Sequence, residues 1–460
     1  MQFASVLIFN LNFSFILIMK KNLPYIFLLS FVGIFSFAII EFRTPDKIKL
    51  GIKIRQGESA TSNEWINSKA AIESLIETLR INPENQQAKV KLGFAYIQES
   101  RESGEHAFYD PKALDLFDNV LKKDSVNFES LIGKATVLLS QHHFAEAIPV
   151  AVAAQRINSY SSSVYGILTD AFLENGDYQN AIAMADKMAS LRPDNRSYSR
   201  VSYLREIHGD YPGAISAMNL ALQSGYPGKE ATEWTRIQLG HLYEQTGKLD
   251  SAQLQYETAI YYRPIFSFAY AGLARIEKAK CNYSASIAFL KKAISIVDDF
   301  SFEQELSEVY RISNQPKLAY KAAQKTIELL AGVKGDESIK NHGHYADKEL
   351  AIAYLNAYDY NNALKHALIE YNRRPDNIDV EQTLAWVYYK IGDLEKANKY
   401  ITKALRTNSK NPVLQYQAGL IMSHFGNLPE GVKLIQAALN LNPYLPVLLK
   451  WENKKYLAVN

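Results

Sequence analysis

Apolar and small residues recur along this chain in two superposed rhythms. Within short blocks they fall three and four residues apart, the spacing that gathers them on one face of an α-helix. Between blocks the whole pattern returns after 34 residues: Leu350, Leu384 and Ala418 share one phase, Ala351, Ala385 and Gly419 the next, and Tyr354, Tyr388 and Met422 the one after. Ala363, Ala397 and Gly431 follow at the same interval, then Pro375, Ser409 and Pro443. A period of that length with small residues at two fixed points predicts stacked helical hairpins. Such a fold grows by stacking, each unit burying its apolar face on its neighbours. It presents a surface for holding other molecules.

The register extends upstream. Equivalents of Ala71 fall at Ala113, Ala147, Ala181, Ala214, Ala252, Ser286, Ala319, Ala363, Ala397 and Gly431. Three insertions break the step, near 99–108, 225–228 and 331–343. One unit shows why each residue sits where it does. It reads Leu239-Gly240-x2-Tyr243-x3-Gly247-x4-Ala252-x3-Tyr256-x2-Ala259-x4-Pro264. Gly240 and Ala252 lie on facing helices, where lack of bulk lets two backbones approach. Gly247 supplies a turn with positive φ, and Pro264 stops the second helix.

This unit resembles the tetratricopeptide repeat, whose pattern is W-x2-L-G-x2-Y, then A-x3-F, then P. Gly176, Tyr178, Ala181 and Pro193 fit it, as do Gly392, Leu394, Ala397 and Ala404, and Gly426, Ile435, Ala438 and Pro443. The resemblance implies an all-α chain, a right-handed α-solenoid of about eleven hairpins over residues 65–443. The units near Tyr198 and Ser301–Leu330 depart from the pattern, with Ser202 where Gly or Ala is usual and Pro316 in a turn. Residues 444–460 are expected to form a capping helix with a polar, lysine-bearing face.

The first forty residues belong to another physical class. Residues 3–18 and 22–40 are apolar and nearly uncharged, separated by Met19-Lys20-Lys21. Read from Met19 as the true start, two lysines followed by an apolar run predict a signal peptide or an N-terminal hydrophobic anchor helix; read from Met1, the two apolar runs predict a two-span hairpin. Residues 22–40 just suffice to span a bilayer at about 1.5 Å per residue. Residues 41–64 are polar and aperiodic and read as a linker. The lysine pair before the span favours export of the repeat domain, periplasmic in a bacterial envelope. Arg43, Lys47, Lys49, Lys53 and Arg55 after it favour the cytoplasmic alternative.

A net charge of +3 over 460 residues with no basic stripe predicts no nucleic-acid partner. The lone Cys281 excludes an intrachain disulfide and a thiolate metal cluster, and it occupies the turn position that Gly247 holds one unit earlier. His142-His143 and His342-Gly343-His344 have no carboxylate trio at ligand spacing and read as solvated loop histidines, so no metal or cofactor is expected. No phosphate loop, nucleophile elbow or H-E-x-x-H segment is present, and the repeats leave no stretch long enough for a catalytic domain. The chain is expected not to be an enzyme.

Of the 29 tyrosines, Tyr178, Tyr243, Tyr256, Tyr354 and Tyr388 hold packing positions. The resemblance implies that the first helix of each hairpin lines a concave groove. Partner contacts then fall one, four and five residues after the small Gly or Ala. That selects Phe94, Gln98, Asp170, Glu174, His241, Glu244, Gln245, Arg275, Lys278, Trp386, Tyr389, Lys390, Leu420 and His424 as candidate binding residues. Trp386 with Tyr389 is the strongest pair, two aromatics about one helical turn apart. Chaperone-binding members of the family clamp a terminal carboxylate with Lys and Asn in this groove. Val90, Phe94, Gly166, Asp170, Ile237 and His241 stand at those places here, so a chaperone tail is not the expected partner. The expected function is a membrane-tethered or exported scaffold that binds a protein or peptide. An accessory subunit of an envelope-assembly or polysaccharide-export apparatus is the first alternative, and an enzyme with its reaction site in the groove the second.

Overall fold

A computed structural model describes residues 50–55, 57–332 and 343–445, and the described residues from Gly51 onward belong to one compact unit. The predicted signal or anchor at 1–40 and the capping helix at 444–460, from residue 446 on, lie outside the described residues. Among those described, every regular element is helical, and no helix is long and apolar enough to cross a membrane.

A 3-10 turn at Gly57–Thr61 precedes a single long helix, α1 (Asn63–Ile81). Ten hairpins follow. They are α2 (Gln86–Ser103) with α3 (His106–Leu121), α4 (Phe128–Ser140) with α5 (Phe144–Ile157), α6 (Ser162–Glu174) with α7 (Tyr178–Leu191), and α8 (Asn195–Ile207) with α9 (Tyr211–Gln223). Next come α10 (Glu230–Gln245) with α11 (Leu249–Tyr262), α12 (Ser267–Ala279) with α13 (Tyr283–Ile296), and α14 (Phe300–Ile312) with α15 (Pro316–Ala331). The last three are α16 (Asp347–Asn356) with α17 (Tyr360–Arg373), α18 (Ile378–Ile391) with α19 (Leu394–Ala404), and α20 (Pro412–Phe425) with α21 (Leu428–Leu441). Ala71, where the register begins, lies on α1.

The hairpin geometry holds even where the sequence gives it no glycine. The turn residue between the helices has φ 67° at Gly247, but also 61°, 63°, 59° and 61° at His142, Cys281, Asn314 and Tyr358. A side chain in that left-handed conformation costs roughly 1–2 kcal/mol, which the packing of the two helices outweighs. Aspartates after several of these turns cap the second helix: Asp177 accepts from the Asn180 amide at 3.2 Å and Asp393 from Lys396 at 3.1 Å.

The small residues do two different jobs. A Cβ at Gly240 would lie 2.5 Å from the ring of Tyr256, and one at Gly272 on the next hairpin 2.6 Å from the same ring. Tyr256 is fully buried, and Phe117 is wedged in the same way between Gly93 and Gly133. Here the glycines make room for a ring rather than for a close backbone approach, which is a refinement of the expectation for Gly240. Backbones do approach at the last hairpin, where a Cβ on Gly419 would stand 2.6 Å from the Gly431 carbonyl. Where serine replaces the small residue, it bonds across the hairpin: Ser202 Oγ donates to Ala214 O and Ser307 Oγ to Ala319 O, each at 2.7 Å. The units that depart from the repeat pattern are therefore tied, not loosened.

One insertion also finds its form. Residues 99–108 lengthen α2 and α3 instead of making a loop, and the added turns hold residues 51–55. Tyr96 Oη accepts from the Gly51 amide and donates to its carbonyl, and Tyr109 Oη does the same to Lys53. Arg55 bonds Glu99 and Glu102 at 2.7 and 2.8 Å. The expected linker at 41–64 is thus docked chain from residue 51. Most of the insertion at 331–343 lies outside the described residues.

First helices of successive hairpins touch one another (α4 with α6, α6 with α8, α10 with α12, α16 with α18, α18 with α20), and second helices make no contacts of that extent. The stack is shorter along the first-helix side, so that side is concave.

The curvature brings the chain back onto itself. Asn377 Nδ2 donates to the carbonyl of Glu174 at 3.0 Å, and the Ile378 amide donates to Tyr178 Oη at 2.9 Å. Asn442 Nδ2 reaches the Glu244 carbonyl at 3.0 Å, and the Tyr345 amide the Gln141 carbonyl at 3.0 Å. Arg263 pairs with Glu64 at 2.7 Å. Each contact joins residues about six hairpins apart at the 34-residue period, so six hairpins make one turn of the superhelix.

Candidate functional site

The concave wall is built from ten first helices, α2 to α20, and its side chains fall into three regions.

The central region carries a ladder of ion pairs running from helix to helix. Arg275 on α12 bonds Glu244 on α10 at 2.9 Å and Glu305 on α14 at 3.0 Å. Lys278 on α12 reaches Glu308 at 3.0 Å. Tyr256 Oη donates to Glu244, and Arg275 Nη2 lies 3.3 Å from the same hydroxyl. Burial works against the charge of Arg275, but Glu244 and Glu305 outweigh it and hold the guanidinium pKa well above its ordinary value. Lys278 is raised likewise against burial by Glu308 and Glu305. His241 remains open to water, its side chain 41% exposed, yet burial by the surrounding wall lowers its pKa. Its Nε2 lies 3.1 Å from Gln245 Nε2. The structure therefore joins Glu244, Arg275 and Lys278 into one network and sets His241 and Gln245 beside it.

The N-terminal region is more varied. Phe94 is 36% exposed and meets Phe117 edge-on at 5.2 Å. Gln98 donates to Glu102 at 2.5 Å. Asp170 takes a forked bond from Arg200 at 2.8 and 2.5 Å. Glu174 is committed to the contact between superhelical turns, accepting from Arg374 Nη1 at 2.6 Å. Beside it lie Tyr203 and Glu206 on α8, which the spacing rule misses because the preceding small residue is Ser202. Burial foremost, with Asp379 on α18, pushes the Glu206 carboxyl up to about 7.

The C-terminal region holds the aromatic pair. Trp386 and Tyr389 stack at 4.9 Å and 17°, Lys390 Nζ lies 4.8 Å from the Trp386 ring, and Tyr389 Oη is 3.3 Å from His424 Nδ1. Both rings pack partly against apolar clusters, one containing Leu384 and Ile421, the other Tyr416 and Leu420. Leu420 is the exception among the expected groove residues. It is fully buried with Tyr416, Ile435, Ala438 and Leu445, because the last hairpin turns that position into its own core.

The loop histidines are not separate. His142 and His344 lie 4.0 Å apart between ring centroids, and His143 stacks on Tyr345 at 3.9 Å. His342 lies outside the described residues. Nothing in the spacing of these residues could reveal that pairing, which follows from superhelical closure. Among the described residues no group of three or more His, Cys, Asp and Glu side chains has the arrangement to hold a metal ion.

One family comparison agrees with the repeat register. No curated protein matches the chain. Similar solved structures include the human IFIT1 dimer with PPP-AAAA, with a TM-score of 0.47 and 15% identity over 75% of this chain and 79% of that one. The Cut9–Hcn1 hetero-tetramer of the APC/C has a TM-score of 0.38 and 12% identity, over 86% of this chain and 94% of that one. The tetratricopeptide repeat family model matches residues 235–266 and 382–411, which are the α10–α11 and α18–α19 hairpins with their exits, so these two segments are tetratricopeptide repeats.

Proposed function

We propose that this chain is a membrane-tethered or exported scaffold that holds an extended or helical segment of a partner protein along its concave wall, with no catalytic step of its own. The supporting observation is the wall itself: consecutive first helices present polar and aromatic side chains already fixed to one another, so little ordering entropy is lost on binding. The α2–α3 hairpin treats the chain's own residues 51–55 in the same manner, through tyrosine hydroxyls bonded to backbone and carboxylates bonded to Arg55. Residues 22–40 would tether the scaffold or be removed on export, leaving the repeats outside the cytoplasm. Protease accessibility in spheroplasts tests that placement.

Affinity purification of the full chain with mass spectrometry identifies the partner, and wall variants then test the mode. Phe94→Ser and His241→Ser should weaken capture about 10-fold, a change of roughly 1.4 kcal/mol, while Tyr261→Ser on the second-helix side leaves it unchanged. Loss of capture with Tyr261→Ser but not with the wall variants would move the binding surface to the convex face.

A further inference from the structure

The turn between α4 and α5 meets the residues that lead into α16 through four hydrogen bonds. The Tyr345 amide donates to Gln141 O at 3.0 Å. His142 Nδ1 lies 3.0 Å from Tyr345 O, His344 Nδ1 3.1 Å from Ser140 O, and His143 Nε2 3.0 Å from Gly343 O. A carbonyl only accepts, so each of these ring nitrogens carries the proton, and the opposite nitrogen keeps a lone pair while the ring is neutral. Three of the four bonds therefore depend on histidine. The rings of His142 and His344 are 4.0 Å apart, so two charges there would face each other at contact distance.

We propose that this contact is a pH-operated clasp between successive turns of the superhelix, closed while His142 and His344 are neutral and released as both take up protons. Groups from every neighbouring element bear on it. His106 and Asp110 approach from α3, Glu146 from α5 and Lys348 and Glu349 from α16. Asp347, at the start of α16, is engaged by His366 and Arg373. Arg373 lies over Tyr345 at 3.9 Å and Arg374 over Phe144 at 4.9 Å. Glu349 and Asp110 favour protonation; Lys348 and the second imidazole oppose it.

Burial, with His344 beside it, draws His142 down to about 3, and the groups crowded around His344 lower it as well although the residue remains exposed to water. The sign follows. An imidazole held below its free value of about 6.5 supports the closed contact above that pH, and the support is lost as pH falls. Each such imidazole shifts the equilibrium toward opening by up to about 10-fold per pH unit below about 6.5. The neighbouring contacts between turns, Tyr178 with Ile378 and Glu244 with Asn442, use no imidazole in their hydrogen bonds. Release would therefore loosen the superhelix at one seam and open a lateral path to the concave wall. This goes beyond the scaffold reading, since it concerns when the wall is reached and not what it holds.

Hydrogen exchange of the full chain at about pH 7.5 and about pH 5, corrected for the intrinsic pH dependence of exchange, tests the clasp. Protection of the Tyr345 amide and of peptides covering residues 140–144 should fall at least about 10-fold at the lower pH, while the Ile378 amide keeps its protection. The His142→Asn and His344→Asn pair retains an amide donor near the Nδ1 position without a titrating group, and should make protection independent of pH. Equal protection of Tyr345 at both pH values, or an equal fall at Tyr345 and Ile378, would overturn the proposal. So would an unchanged pH dependence in the double variant. If that variant does not fold, the comparison of the two amides in the wild type decides alone.

Discussion

Replacing Gly240 by alanine adds one methyl group at the point where the α10–α11 hairpin has no space for it. The new Cβ would stand 2.5 Å from Tyr256 Cε1, 2.7 Å from Cζ and 3.1 Å from the hydroxyl. Carbon atoms in contact prefer about 3.5–4.0 Å, so the overlap is about 1 Å. The ring cannot retreat, because Gly272 closes its other face and the hydroxyl is bonded to Glu244. Overpacking of a well-filled core costs about 1–3 kcal/mol, and the clamped ring puts Gly240→Ala toward the upper end. Alanine's better helix propensity returns up to about 1 kcal/mol, leaving a net loss of about 1–2 kcal/mol. Urea unfolding followed by circular dichroism measures it, with hydrogen exchange across α10 and α11 localising the effect, since solenoids need not unfold in one step. In Tyr256→Leu the space is vacated, so Gly240→Ala should become neutral or stabilising in that background, a coupling of about 1–3 kcal/mol. If Gly240→Ala alone stabilised the protein by the propensity gain, the wedged-ring account of the repeat would be wrong.

Two further outcomes follow from the charges near the contact between turns. Arg374 is buried with Glu370 and also bonds Glu174, so Arg374→Leu should cost about 3 kcal/mol, the low end for breaking a buried pair because Arg373 still reaches Glu370. Thermal unfolding of the single variant and of Arg374→Leu with Glu370→Leu checks it, the second being the more stable. Glu206, raised to about 7 from 4.5 mainly by burial, binds its proton more tightly when folded, so its penalty is absent below about pH 4.5 and grows as pH rises through 7. Glu206→Gln should therefore stabilise by about 1–2 kcal/mol at pH 8, after discounting for partial exposure, and change nothing at pH 4.

The hairpins were legible because their signal is local. Small residues recur in step, and Cys281 could be placed at a left-handed turn from its register with Gly247 alone. Closure was not legible, since it depends on a small rotation accumulated over six hairpins and leaves no mark in any single one. Glu174 illustrates the difference: its spacing put it on the concave side, but Arg374 from the next turn claims its carboxylate. Trp386 and Tyr389 were found by the same spacing, whereas their stacking on each other and toward His424 needed coordinates. Leu420 shows the limit of a carried-over rule at the end of a stack, where the last first helix contributes to a terminal core. Ser202 looked like decay of the motif, and it and Ser307 instead supply hydrogen bonds across the hairpin, a substitution that residue size alone cannot recognise.

Closure of the superhelix is best tested by a distance between spin labels on Gln179→Cys and Asn372→Cys in a Cys281→Ser background. Both sites are exposed and flank the bond from the Ile378 amide to Tyr178 Oη, made at 2.9 Å across 200 residues of sequence. The account predicts a single short, narrow distance. A long or broad distribution would mean that the turns do not meet and the concave wall is open along its length.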